Sequence, residues 1–313
     1  MKTGETPLIA VVGATASGKT AVAVALAECL NGEIISADAV AVYRYLNIGA
    51  AKPDAHERAR ATFHLVDVAD PDEDFSLSDF ERLANPIIAE IRRRGKTPIL
   101  AGGTGLYVRG LTATLSVPAV APNEALRASL REQGAEALYD RLQTVDPASA
   151  AKILPGDVKR MIRALEVYET TGQAMSSFHT PEGIRGVPKP NTVIFGLDRE
   201  RAGLYRRIED RVDVMIGGSL EAEVRDLLAR GYHANLKSMQ SLGYRHVLRY
   251  VSGEQTLAEA VDDMKRDTRR FAKRQLSWFR ADAQVQWIPV TETDSAEAVA
   301  EVLTDALRKT GST

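Results

Sequence analysis

Residues 8–20 read Leu8-Ile9-Ala10-Val11-Val12-Gly13-Ala14-Thr15-Ala16-Ser17-Gly18-Lys19-Thr20. The first five are a continuous apolar run, as expected of a strand buried on both faces. Residues 13–20 then match G-x-x-x-x-G-K-[ST], and residues 20–30 have a helix-like composition. Strand, glycine-rich loop and helix in this order define a phosphate-binding loop. Small side chains let backbone N–H groups converge on phosphate oxygens, and the helix N-terminus adds a favourable dipole. Gly13, Ala14, Thr15, Ala16, Ser17, Gly18, Lys19 and Thr20 are thus the expected diphosphate-binding residues. Lys19 supplies a point charge to the terminal phosphates and Thr20 a hydroxyl ligand for Mg²⁺. Such a motif most often marks a nucleotide site, ATP included. By itself it requires only a diphosphate or triphosphate.

Further apolar runs lie at Ile34-Ile35, Phe63-His64-Leu65-Val66 and Pro98-Ile99-Leu100, with helical patterns between several of them, notably at 76–94. This alternation predicts an α/β fold: a three-layer P-loop core with a mostly parallel sheet. Ligands of such sheets bind outside the carboxyl ends of the strands. The glycine loop, Asp38 and Gly102-Gly103-Thr104 each follow a predicted strand and should converge on one crevice. From about 115 to 180 strand signals vanish, and helix-like stretches follow at 123–133, 135–144 and 157–170. A Pro/Gly-rich connector at 181–190 precedes a strand at 192–197, helices at 201–216, 219–230 and 256–281, and a strand at 285–290. The predicted organisation is a first core segment at 1–114, an all-helical insertion at 115–185 and a second core segment at 186–313.

Composition is ordinary for a soluble globular chain of 313 residues with formal net charge −2, so nucleic-acid binding must come from local patches. Cys29 is the only cysteine, which excludes an internal disulfide and a zinc finger. It is expected to pack, buried, in the helix after the loop. The first apolar run ends in the glycine loop, so it reads as a core strand rather than a signal peptide. No run reaches membrane-spanning length, and five histidines are scattered without metal-ligand spacing. The expected setting is the cytoplasm, and without a coiled-coil or exposed-strand signal the expected state is a monomer.

Asp38 ends the run Glu33-Ile34-Ile35-Ser36-Ala37-Asp38. A carboxylate there can orient Mg²⁺, act as a general base or cap the next helix. Ala101-Gly102-Gly103-Thr104-Gly105 allows close backbone approach to a ligand, with Thr104 offering a hydroxyl; a tight turn is the structural alternative. Most P-loop NTPases carry a Walker-B aspartate at the end of such a strand, and none stands here. Along 256–281, Lys265, Arg269 and Lys273 recur at i, i+4 beside Arg266, Arg270 and Arg274, with Arg280 beyond. Only Asp267 interrupts this basic stripe, while Trp278 and Phe279 could stack on an exposed base. Lys159, Arg160 and Arg163 form a second cluster opposite the apolar positions 158, 161, 162 and 165. Arg92-Arg93-Arg94 precedes Gly95 and reads as a helix C-terminal signal.

Taken together these motifs resemble the bacterial tRNA dimethylallyltransferase family, nearly end to end. The matching stretches are the loop at 13–20, Ile34-Ile35-Ser36-Ala37-Asp38, Ile48-Gly49-Ala50-Ala51-Lys52-Pro53 and His64-Leu65-Val66-Asp67. They continue with Ala101-Gly102-Gly103-Thr104, Arg160-Met161-Ile162-Arg163-Ala164-Leu165-Glu166, Leu242-Gly243-Tyr244-Arg245 and Lys273-Arg274-Gln275-Leu276-Ser277-Trp278-Phe279-Arg280. The resemblance implies Mg²⁺-dependent transfer of a dimethylallyl group from dimethylallyl diphosphate to N6 of the adenine 3′ of the tRNA anticodon. It implies Asp38 as the proton acceptor, Thr104 near the reacting centre and Lys19 on the diphosphate. It further implies that the anticodon stem-loop meets Asp38, Ala39, Val40, Ala41, Thr104, Arg127, Lys159, Arg160 and Arg163. On the same grounds it meets Gly243, Tyr244, Arg245, Lys273, Arg274, Gln275, Trp278 and Arg280. Many family members have Asp-Ser after the second strand and a Gln before the Tyr. Here Ala39 and Ala41 lack those polar groups, which puts base recognition around 39–41 in question. The rival readings are a small-molecule kinase or other NTPase, an enzyme prenylating free adenine nucleotides, and an inactive RNA-binding protein.

Overall fold

The computed structural model describes residues 5–115, 118, 120, 122–178 and 186–311. The chain divides into two compact units, Met1–Thr112 with Lys189–Thr313, and Ala113–Pro188. The first unit begins with β1 (Leu8–Gly13), α1 (Lys19–Leu30), β2 (Gly32–Ser36) and α2 (Ala55–Arg60). It continues with β3 (Phe63–His64), α3 (Leu77–Arg93), β4 (Thr97–Gly102) and α4 (Gly105–Thr112). The second unit holds β5 (Ala113–Thr114), α5 (Glu124–Glu132), α6 (Ala135–Val145) and α7 (Pro147–Ala150). It closes with α8 (Val158–Thr171), α9 (Met175–Phe178) and β6 (Val187–Pro188). The chain returns to the first unit with β7 (Thr192–Arg199), α10 (Arg201–Gly217), α11 (Leu220–Ala229) and α12 (Tyr244–Val251). Last come α13 (Leu257–Arg280), β8 (Val285–Val290) and α14 (Ala296–Gly311).

The sheet is six-stranded, in the order β3-β2-β4-β1-β7-β8, and every pairing in it is parallel. β1 sits inside the sheet, and all six of its residues are buried. Strand side chains alternate between two cores. Leu8, Ala10 and Val12 face one side with Phe80, Ala84, Ile88 and Ile91 of α3. Ile9 and Val11 face the other with α1 and with Val299, Ala300 and Leu303 of α14. α1 is buried continuously from Val22 to Ala27, sandwiched between sheet and α14. The glycine loop therefore leaves a fixed strand end and enters a fixed helix.

Phe63-His64-Leu65-Val66 forms only a two-residue strand, because Leu65 and Asp67 take φ of 60° and 61° and turn the chain out of the sheet. Cys29 is exposed, not buried: it follows Glu28 onto the solvent side of the last turn of α1. The connector expected at 181–190 lies outside the described residues for 181–185. The short pair β5–β6 is antiparallel and was not legible as strand. Arg94 does more than end a helix. With Lys96 and His64 it donates to the buried carboxylate of Glu33, at 2.7 to 2.8 Å.

Candidate active site

The glycine loop is shaped by three residues at positive φ, Gly13 (φ 147°), Ala16 (φ 62°) and Gly18 (φ 97°), and the Ser17 N–H closes a turn on Ala14 O at 3.2 Å. Three loop carbonyls accept from basic side chains. Lys19 Nζ donates to Ala14 O at 2.6 Å, Arg207 Nε to Ala16 O at 2.9 Å and Arg199 Nε to Ser17 O at 2.8 Å. The sequence motif gave no sign of these two arginines, which come from α10 and the end of β7. A third, Arg211 of α10, donates to Thr15 Oγ1 at 3.4 Å and points into the same cleft.

That cleft, about 600 Å³, opens at the carboxyl ends of β1, β2 and β4, and Lys19, Thr20, Asp38, Thr104 and Arg211 line it. Burial and the neighbouring Arg211 lower Lys19 to about 7, while Asp38 acts in the opposite sense. Burial lowers Arg211 as well. Neither cation forms a salt bridge with a described carboxylate. Two desolvated basic groups with no salt-bridge partner among the described residues make a pocket that an added anion would stabilise. Among the described residues no group of three or more His, Cys, Asp or Glu side chains could hold a metal.

Asp38 and Thr104 are locked together through backbone. Asp38 Oδ1 accepts from the N–H groups of Val40 at 2.8 Å and Ala41 at 3.1 Å. Thr104 Oγ1 accepts from the Ala39 N–H at 2.9 Å, and the Thr104 N–H donates to Ala37 O at 3.1 Å. A Cβ on Gly102 would lie 2.1 Å from Ala37 O, so the two turns approach only because residue 102 is glycine. Asp38 is thus oriented by the main-chain amides of Val40 and Ala41, and Thr104 by that of Ala39, bonds that do not depend on the side chains at 39 and 41. Both residues line the cleft, and among the described residues neither Asp38 Oδ2 nor the Thr104 O–H makes a further hydrogen bond.

The segments expected to meet RNA divide into two kinds. Ala39, Val40, Ala41, Arg245, Arg274, Gln275 and Trp278 line the cleft with Asp38. Gly243 and Tyr244 do not reach solvent: Tyr244 is fully buried, and its hydroxyl donates to Glu223 at 2.6 Å. That carboxylate also caps the N–H groups of Asn47, Ile48 and Gly49, so this part of the motif shapes a loop. The basic stripe is largely neutralised. Lys265 pairs with Asp213, Arg269 with Glu209, Arg266 with Asp263 and Arg270 with Asp267. Arg245 pairs with Asp267 and Arg280 with Asp198. These acids lie mainly on α10 or on α13 itself, where periodicity along one helix could not reveal every pairing. Lys273 and Arg274 are exposed with no carboxylate partner among the described residues.

In the second unit, Arg127 and Arg163 converge on Glu166, a fully buried carboxylate of α8. Arg127 donates to it through Nε at 2.8 Å and Nη2 at 3.0 Å, Arg163 through Nη1 at 2.8 Å. Arg127 thereby holds α5 to α8, while Arg163, on α8 itself, also donates to Val120 O at 3.1 Å; neither use was foreseen. Lys159 and Arg160 are exposed, and Arg160 pairs with Asp157.

A parallel-sheet P-loop core with a buried Lys-Arg pocket and an oriented carboxylate beside it points to the class of enzymes that handle a diphosphate group. Comparison with known proteins narrows this class. The IPP transferase family pattern matches residues 41–282, and the isopentenyl transferase pattern matches residues 6–65. A tRNA dimethylallyltransferase of Roseiflexus castenholzii is 48% identical over 300 residues, covering 94% of this chain and 97% of that protein. The tRNA isopentenylpyrophosphate transferase of Bacillus halodurans superposes with a TM-score of 0.73 at 40% identity, covering 98% of each chain. A eukaryotic dimethylallyltransferase captured acting on tRNA gives 0.81 at 25% identity, covering 97% of this chain and 80% of that one. The chain belongs to the IPP transferase family, the tRNA dimethylallyltransferases.

Proposed function

We propose that this enzyme transfers the dimethylallyl group of dimethylallyl diphosphate to N6 of the adenine 3′ of the anticodon in tRNA, releasing diphosphate. The observation that carries the reading is the pairing of an oriented Asp38 with the desolvated Lys19–Arg211 pair in one cleft. Seated in the loop, the donor's diphosphate would meet the inward N–H groups and both cations. As the allylic C1–O bond breaks, its electron pair leaves with the diphosphate, and these charges stabilise the departing group. Adenine N6 bonds to C1 and passes its proton to Asp38 Oδ2, while the Thr104 hydroxyl is free to donate to the incoming base. Thr20 lines the cleft beside Lys19 and would offer its hydroxyl to a Mg²⁺ bound with the donor. When bound, the metal would supply charge neutralisation to the leaving group.

The target adenine must leave its stack to enter the cleft, at a cost of a few kcal/mol. Trp278, 39% exposed on the cleft wall, offers a stacking face for it. Lys273 and Arg274, with Lys159 and Arg160 of the second unit, would contact RNA phosphates. The reading takes the enzyme as a cytosolic monomer; no helix among the described residues is long and apolar enough to cross a membrane. The test is incubation with dimethylallyl diphosphate, Mg²⁺ and unmodified tRNA, then nuclease digestion. N6-prenyl-adenosine is expected, and ATP turnover without that product would refute the reading in favour of a kinase.

A further inference from the structure

Gln275 and Trp278 stand one turn apart on α13 and press on the backbone that follows β4. A Cβ on Gly103 would come within 2.2 Å of Gln275 Nε2, and one on Gly105 within 2.2 Å of Trp278 Cδ1. The glycines of Ala101-Gly102-Gly103-Thr104-Gly105 therefore make room for protein, not only for a ligand. Gln275, 7% exposed, uses both ends of its amide. Its Oε1 accepts from the Thr15 N–H of the phosphate loop at 2.8 Å, and its Nε2 donates to Gly103 O at 2.9 Å. One side chain thus bridges the phosphate loop and the turn that carries Thr104, from the helix that also bears Lys273, Arg274 and Trp278.

We propose that Gln275 is a positioning residue for the diphosphate, and not a ligand of the RNA. It fixes the Thr15 peptide and thereby the direction in which the following N–H groups of the loop point. With both hydrogen-bonding functions committed inside the protein, the amide has little left to offer a nucleotide. The proposal rests on the diphosphate reading given above, and it goes further by assigning the aim of the loop to a residue 260 positions away in sequence.

Gln275→Met keeps the length of the side chain and removes both bonds. Titration of the full-length protein with inorganic diphosphate and Mg²⁺ should then show affinity weakened by about tenfold, and kcat for prenyl transfer lowered by 10- to 100-fold. Affinity for an RNA anticodon stem-loop should stay within about twofold of wild type. A second arm covers the case of a poorly folding variant. Gly103→Ala should displace the Gln275 amide and reproduce the weakened diphosphate binding. Adding Gly103→Ala to Gln275→Ala should then cost nothing more, because the collision is gone. Wild-type diphosphate affinity in Gln275→Met, or lost RNA affinity with diphosphate binding intact, would overturn the proposal. A wild-type protein that binds no diphosphate would instead overturn the functional reading on which it rests.

Discussion

Replacing Asp38 by Asn separates the two tasks of this residue. The Asn carbonyl can occupy the place of Oδ1 and accept from the Val40 and Ala41 N–H groups, so the turn survives. What is lost is the proposed proton acceptor at Oδ2. Removal of a general base typically lowers the rate by 10²- to 10⁴-fold, which at about 1.4 kcal/mol per decade is a barrier increase of roughly 3–5.5 kcal/mol. The same change removes a negative charge facing Lys19 and Arg211, both of which Asp38 favours in their charged forms. It therefore also removes repulsion of an incoming anion. Inorganic diphosphate should bind Asp38→Asn as tightly as wild type or more tightly, while kcat collapses. Asp38→Ala should fall further, since two amides lose their acceptor at about 1 kcal/mol each. Single-turnover prenylation of a tRNA stem-loop, with calorimetric titration of diphosphate, measures both quantities. A Asp38→Asn rate within threefold of wild type would refute the assignment; weaker diphosphate binding would refute the electrostatic argument.

Ion pairing within the protein should be visible in the salt dependence of RNA binding. Lys273→Ala and Arg274→Ala should each reduce the slope of log K against log salt by about 1, whereas Lys265→Ala and Arg269→Ala, already offset by Asp213 and Glu209, should change it less. Equal slopes for all four variants would contradict this. Arg127→Ala should destabilise the second unit by roughly 2–4 kcal/mol in urea unfolding, since it strips two hydrogen bonds from the fully buried Glu166; an unchanged midpoint would leave Arg127 only a surface role. Glu33 gives a pH signature. Burial alone would raise its carboxyl, but hydrogen bonds from Arg94, Lys96 and His64 outweigh burial and hold it at about 2, against an ordinary 4.5. A depressed carboxylate stabilises the fold above its ordinary value and loses that contribution as pH falls toward 2. About 2.5 units correspond to roughly 3 kcal/mol. The stability gap between wild type and Glu33→Gln should therefore be full at pH 6 and shrink between pH 4.5 and 2; a gap constant over that range would exclude this origin.

Strand–loop–helix at 8–30 was legible because its signals are local: an apolar run, glycines at fixed offsets, then helix formers. Asp38 and Thr104 were legible for a related reason, since residues at strand ends in a parallel sheet must share one edge. Cys29 was misread because a buried helix still has a solvent-facing last turn. The burial of Tyr244 and the ion pairs of the α13 stripe were not legible because exposure depends on which element packs alongside. Tyr244 meets Glu223 across 21 positions, Arg269 meets Glu209 across 60 and Lys265 meets Asp213 across 52.

By itself, then, the sequence determined the sheet class, the glycine loop and the carboxylate beside it, which follow from periodicity and spacing within a few residues. The family likeness came from the order of matching motifs along the whole chain. Only the tertiary structure decided which charges remain free to act. It placed Arg199, Arg207 and Arg211 around the loop, neutralised most of the basic stripe, and turned the Gln275 amide onto Thr15 and Gly103. The physical reason is that hydrogen bonds and ion pairs form over about 3 Å, a distance that chain spacing fixes within a helix or strand but that packing alone fixes between them.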